Sequence, residues 1–133
     1  MFVDIVAAKD DVTAVEIATR IMLEVFSGLP TIDDNGIVIG MITTIDLLCA
    51  IRDGQILKLM FTRDLMTKNP LVVTQDTKIE DVIDIMDKNG IEKIPMVDKQ
   101  TDKRLIDVVS RTDILVEKMN ERVRYYMKRA ATQ

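Results

Sequence analysis

Two short segments of the chain carry a hydroxyl and a carboxylate at the same spacing. Thr43 and Asp46 in "IGMITTIDLL" (39–48) form one pair, and Ser110 and Asp113 in "IDVVSRTDIL" (106–115) form the other. Each follows an apolar run and stands where a helix would begin, so each fits a capping box, in which the hydroxyl accepts a backbone N–H and the acid reaches back. The same groups, beside the exposed N–H groups of a helix start, are also suited to holding an anionic or hydroxyl-bearing molecule. Catalysis has little to work with. The chain has no histidine, so Ser-His and Cys-His pairs and histidine zinc sites are absent, and the single cysteine, Cys49, excludes a four-thiolate site. The acidic residues are mostly scattered over polar faces. The residues point to binding without a catalytic group or a metal.

The elements that must position these pairs emerge when the chain is aligned with itself at an offset of 64–67 residues. "TAVEIATRIM" (13–22) lies over "TKIEDVIDIM" (77–86), "GLPTID" (28–33) over "KIPMVD" (93–98), and "ITTIDLL" (42–48) over "VSRTDIL" (109–115). The offset drifts only at turns, as a structural repeat allows. Each copy reads strand, helix, strand, strand, helix. In the second copy "PLVVTQ" (70–75) is β-prone, and Ile79, Val82, Ile83 and Met86 fall on one helical face. Asn89-Gly90 then stops that helix, and Asn35-Gly36 marks the hairpin turn of the first copy. Two copies are too few for a solenoid and are expected to fold against each other with pseudo-two-fold symmetry. The expected fold class is α/β (α+β). Residues 1–54 form the first repeat, 55–69 a connector with a helical turn near 63–66, 70–116 the second repeat and 117–133 a helical extension.

A chain of 133 residues, 47% apolar and 30% charged, is one compact globular unit. Its net charge of −4 makes it a poor general binder of nucleic acid. No apolar run approaches the roughly 18–20 residues that cross a bilayer, no signal-peptide pattern opens the chain, and one cysteine suits a reducing cytoplasm.

In their order and spacing, the paired strand–helix–strand–strand–helix copies resemble the cystathionine β-synthase (CBS) domain, and the pair resembles a Bateman module. The segments "DLMTKNPLVVTQDTKIEDVIDIM", "SGLPTIDDNGIVIGMITTIDLL" and "VSRTDIL" carry the resemblance, which spans about residues 2–116. It implies a non-catalytic sensor that binds AMP, ADP, ATP or S-adenosylmethionine in clefts between the repeats and signals to a partner. Carried over by position, the favoured cleft joins Thr43 and Asp46 with Gly40, Thr67, Val72, Lys93 and Ile94. In it Asp46 would accept the ribose hydroxyls, Gly40 would admit the ligand, Thr67 would face adenine, and Val72 and Ile94 would sandwich it. Val72 and Ile94 read equally as plain core, and Lys93 as a solvated lysine. The opposite cleft would join Ser110, Arg111 and Asp113 with Ser27, Gly28 and Leu29, Arg111 being suited to a phosphate. That cleft is expected to be weaker, because Asp107 stands in the place of Gly40 and "MFVDIVAAKDD" has no counterpart of "DLMTKNP", so a leading segment is short or missing.

AMP is the expected ligand, since Lys93 and Arg111 offer charge enough for one phosphate. S-adenosylmethionine and empty clefts in a structural dimerisation module are the alternatives. The last helix is expected to continue from Ser110 into the tail, with Leu115, Met119, Val123, Tyr126 and Met127 near one face. The tail carries five basic and two acidic residues. A homodimer built from helix faces is expected, together with an unidentified protein partner. Contact with a membrane is not expected, and a DNA-associated role for the basic tail is a less favoured alternative.

Overall fold

The computed structural model describes residues 7–24 and 27–131. In chain order the elements are β1 (Ala8–Lys9), α1 (Ala14–Glu24), β2 (Gly28–Ile32), β3 (Val38–Thr43) and α2 (Thr44–Arg52). A 3-10 turn (Leu57–Leu59), α3 (Thr62–Leu65) and β4 (Thr67–Lys68) follow. The second copy supplies β5 (Val73–Thr74), α4 (Ile79–Asn89), β6 (Lys93–Val97), β7 (Leu105–Ser110) and α5 (Arg111–Ala131). The mixed α/β class is as expected, with one sheet ordered β1-β2-β3-β4 and another ordered β5-β6-β7.

The repeat is legible in the strand registers. Gly28 faces Thr43 in the first hairpin and Lys93 faces Ser110 in the second, and the two hairpins slip at the same point, Thr31/Ile32 and Met96/Val97. The hairpin turns meet at the centre of the molecule. Val38 N–H donates to the Lys103 carbonyl at 2.8 Å, and Leu105 N–H to the Gly36 carbonyl at 3.0 Å. These bonds exchange when the copies are swapped, so a pseudo-two-fold axis passes by the Ile37–Arg104 bridge. Gly36 takes the left-handed conformation (φ 78°) that the Asn-Gly signal predicts.

Each copy buries its own core. Ile17, Leu29 and Ile42 lead the first, and Val73, Val82, Met86 and Ile94 the second. A third cluster of Val38, Val72 and Val97 lies between the copies, with Ile32 and Leu105 against it. Side chains of this size contribute about 1.5–3 kcal/mol each when fully buried. One helical face differs from expectation. α4 packs Val82, Ile85 and Met86 into the core and leaves Ile83 41% exposed on the outer side. The stripe runs through 82, 85 and 86, which share one face at helical spacing.

The connector does more than join the copies. Thr62 is fully buried, and both its N–H and its hydroxyl donate to the Val12 carbonyl at 2.8 Å. β4 then pairs antiparallel with β3 of the first copy, Gly40 opposite Lys68 and Met41 opposite Thr67. A Cβ on Gly40 would stand 2.8 Å from the Thr67 carbonyl oxygen and as close to the Met66 side chain. Gly40 therefore makes room for the crossing strand, a correction to the expectation that it admits a ligand.

Candidate functional site

A cleft of about 570 Å³ opens where α2 begins. That volume lies within the range of about 300–1,000 Å³ typical of small-molecule sites. The first copy contributes Ser27, Gly28 and the Thr43–Ile45 turn. The crossing strand contributes Thr67, and the second copy contributes Leu71 and the Ile91–Lys93 segment.

Thr43 and Asp46 form the expected capping box. Thr43 N–H and Thr43 Oγ1 both donate to Asp46 Oδ2, at 2.8 and 3.0 Å, and Thr43 Oγ1 accepts from Asp46 N–H at 3.3 Å. Asp46 Oδ1 receives no donor among the described residues, so the cap uses one carboxylate oxygen and leaves the other. The Thr44 N–H and hydroxyl both donate to the Ser27 carbonyl, at 3.0 and 3.2 Å. In this first turn only the Ile45 N–H is then left without an acceptor among the described residues. The helix start thus offers an anion one backbone donor.

The remaining residues of the favoured group divide. Thr67 and Lys93 line the cleft. Val72 lies in the cluster between the copies, its carbonyl accepting from Gln100 Nε2 at 3.2 Å, and Ile94 is fully buried in the second core. The segments just before β5 and β6 face the cleft instead. Leu71 (48% exposed), Ile91 and Glu92 form the wall. Sequence reasoning missed these three. The signals available were Asn69-Pro70 and Gly90, which end preceding elements in left-handed turns, φ 51° and 63°, and send the chain across the cleft mouth.

Ser27 and Gly28, expected opposite Ser110, stand beside Thr43, because the β2–β3 register sets Gly28 against Thr43. A Cβ on Gly28 would approach the Ile42 carbonyl oxygen to 2.9 Å, so glycine lets the two strands close. Leu29 belongs to the first core. Ser110 and Asp113 cap α5 reciprocally, Asp113 N–H to Ser110 Oγ at 3.0 Å and Ser110 N–H to Asp113 Oδ2 at 3.1 Å.

Arg111 is not presented to a phosphate. Its Nε donates to the Ile91 carbonyl at 3.0 Å, an Nη reaches the Met86 carbonyl at 3.4 Å, and another Nη lies 3.5 Å from Glu92 Oε1. The Met86 carbonyl at the end of α4 already accepts from the Ile91 N–H at 3.0 Å, and the partial negative charge of the helix C-terminus adds to its hold on the guanidinium. The opposing wall of this second cleft would come from the chain's first residues. Positions 1–6 lie outside the described residues. Asp107, in the place of Gly40, is exposed and accepts from the Val108 N–H at 2.7 Å. Farther out, Lys118 Nζ bonds Glu80 Oε1 at 3.2 Å. A backbone hydrogen bond and this lysine hold the Glu80 carboxyl below the usual range, and the same contact raises Lys118.

Among the described residues no group of His, Cys, Asp or Glu could hold a metal ion, and no helix is long and apolar enough to cross a membrane. The sequence model of the CBS domain matches residues 1–53 and 63–120. The chain is 31% identical over 112 residues to an inosine-5′-monophosphate dehydrogenase of Methanocaldococcus jannaschii, covering 84% of this chain and 21% of that enzyme. It thus spans about a fifth of the length of that relative, and 57% of an uncharacterized Methanopyrus kandleri protein that it also matches. Among solved structures, Arabidopsis thaliana CBSX2 in complex with AMP superposes with a TM-score of 0.79 at 26% identity over 90% of each chain. The CBS domain pair of MJ0100, in complex with 5′-methylthioadenosine and S-adenosylmethionine, gives 0.76 at 22% identity over 91% of this chain and 93% of that one.

Proposed function

Because the chain belongs to the CBS domain family, whose paired members are regulatory modules, we propose that it is a non-catalytic sensor of an adenosine ligand. One observation carries the reading: Thr43 lines a cleft walled by both repeats, and Asp46, which caps the helix with it, keeps one carboxylate oxygen, Oδ1, open. A ribose presents two adjacent hydroxyl donors, and a fixed carboxylate accepts them, as dinucleotide sites also arrange. Leu71 and Ile91 supply apolar faces for a purine, with Thr67 at its edge. Lys93 and the Ile45 N–H suit a single phosphate, so AMP is the first choice over ADP and ATP. The neighbour solved with AMP supports this choice. S-adenosylmethionine is the second reading, favoured by the apolar character of Met41, Leu71 and Ile91 and by the acidic Glu92 on the same wall.

In this reading residues 1–54 and 70–116 are the two sensing repeats, 55–69 joins them, and 117–133 extends the last helix toward a partner in the cytoplasm. That partner is a second copy or a linked effector. A thermal-shift panel of AMP, ADP, ATP, S-adenosylmethionine and NADH tests the reading. A ligand at a hundredfold excess over its Kd stabilises by about 2.7 kcal/mol. AMP is expected to give the largest shift, and a flat response to all five refutes the sensor.

A further inference from the structure

The wall that Ile91 and Glu92 give the ligand cleft is a corner between α4 and β6. A side chain that borders a different depression, about 380 Å³ between α4 and α5, holds it. The Arg111 N–H donates to the Glu92 carbonyl at 3.1 Å, and Arg111 Nε to the Ile91 carbonyl at 3.0 Å. One Nη reaches the Met86 carbonyl at 3.4 Å, and the other lies 3.5 Å from Glu92 Oε1. The first copy holds its corresponding corner differently. There Thr44, in the place of Arg111, donates both its N–H and its hydroxyl to the Ser27 carbonyl, at 3.0 and 3.2 Å. A threonine bonds one carbonyl, whereas the guanidinium spans the corner and the end of α4 together.

We propose that Arg111 is a positioning residue for the cleft: it fixes the Ile91–Glu92 wall, and with it the apolar face offered to a purine, without touching the ligand. The proposal rests on the reading of the cleft as an adenosine site, and it names the group that shapes that site. Gly90 turns the chain in the left-handed conformation (φ 63°), and the Ile91 N–H bonds back to the Met86 carbonyl at 3.0 Å. Those two features set the corner from the α4 side. Beyond them, the carbonyls of both Ile91 and Glu92 accept from Arg111. A charged donor makes a hydrogen bond roughly twice as strong as a neutral one, so the Nε bond to Ile91 carries the hold. The ion pair with Glu92, its side chains 46% and 66% exposed, adds little. A wall fixed in advance spares the ligand the cost of ordering it. Because Arg111 is also the first residue of α5, the wall is fastened to the start of the longest helix.

Adenosine and AMP together test this, because they share a purine and differ in charge. Wild type and Arg111→Met are titrated calorimetrically with each. A displaced wall weakens both, and the Kd of each should rise at least about fivefold in the variant. A phosphate contact by Arg111 would weaken AMP alone, and a mere cap on α4 would weaken neither. Either result overturns the proposal. Amide hydrogen exchange on the ligand-free proteins gives a second reading: residues 90–93 should exchange faster in Arg111→Met, and unchanged exchange overturns the proposal. This arm needs no ligand. A wild type that binds neither compound therefore removes the reading of the cleft, while exchange still decides whether Arg111 holds the corner. Lys118→Met is the control, since Lys118 joins α5 to α4 through Glu80 at the far end of the pair. It should leave both affinities and the exchange of residues 90–93 as in wild type. A matching loss there would assign the effect to helix packing in general and overturn the proposal as well. Circular dichroism confirms the folds. If Arg111→Met unfolds, Arg111→Lys replaces it, keeping the charge and losing the planar fork, and must meet the same expectations.

Discussion

Replacing Asp46 and Asp113 in turn by alanine separates a ligand contact from a helix cap, because the two carboxylates cap their helices alike. Each accepts the N–H of its own hydroxyl residue, at 2.8 Å for Asp46 and 3.1 Å for Asp113, and each donates its N–H to that hydroxyl. Either substitution should cost about 1 kcal/mol of cap stability. For a chain of this size that lowers Tm by about 4 °C. Asp46 loses slightly more, since Thr43 Oγ1 also donates to it at 3.0 Å. Binding is where the two should part. Asp46 sits half-buried, bonded to the cleft-lining Thr43 and with Oδ1 open, and loss of a charge-assisted acceptor costs about 1.5–3 kcal/mol. AMP affinity should therefore fall about 10- to 150-fold in Asp46→Ala. Asp113→Ala, capping the last helix of the second repeat, should bind AMP within about threefold of wild type, well under 1 kcal/mol. Calorimetric titration of the three folded proteins decides. Equal losses, or a larger loss at Asp113, would refute the assignment of the ligand to the Asp46 cleft.

Gly40→Ala should cost about 1–3 kcal/mol, because the Met66 side chain can shift but the Thr67 carbonyl is backbone, and urea melts read the loss. A cost near zero would mean β4 is not held against β3. Thr31→Val should stabilise by about 1 kcal/mol, since Thr31 Oγ1 is buried without a hydrogen-bond partner among the described residues and its removal relieves a desolvation cost. A lower melting temperature for that variant contradicts the assignment of the hydroxyl as unpaired. The Glu80 carboxyl is held below its ordinary value, so its contribution is present above the unfolded pKa of about 4.3 and is lost as pH falls through the lower folded value. The stability gap between wild type and Glu80→Gln should accordingly close as urea titrations move from pH 6 to pH 3. A gap independent of pH would rule out the Lys118 contact as its source.

Much of the fold was legible because its signals are local. The Asn-Gly turn, the Gly90 stop and both capping boxes are written within a few residues, and the repeat fixes the hairpin registers in duplicate. What escaped was non-local. Nothing within "DLMTKNP" says that β4 pairs with a strand more than twenty residues earlier, so Gly40 read as room for a ligand when it is room for backbone. Val72 and Ile94 were placed by position along the chain, whereas packing into the clusters between and within the copies decides which side of a wall a residue faces. Arg111 read as a phosphate fork because a helix start precedes it, and the competing demand came from α4, whose carbonyl end arrives only in three dimensions.

The crossing strand β4 bears on how such a molecule can arise. A lone repeat would expose the edge of its second hairpin strand, with N–H and C=O groups ready to pair, and would carry a leading segment that belongs on another sheet. The partner nearest to hand for such a chain is an identical chain, each lending its leader to the other. Joining two copies end to end turns that encounter into an intramolecular one, at an effective concentration on the order of millimolar for a short linker. Once it is joined, the two halves need no longer match. One can keep a glycine at the crossing and the other an aspartate, as Gly40 and Asp107 do, so that a single chain specialises one wall while relaxing the other.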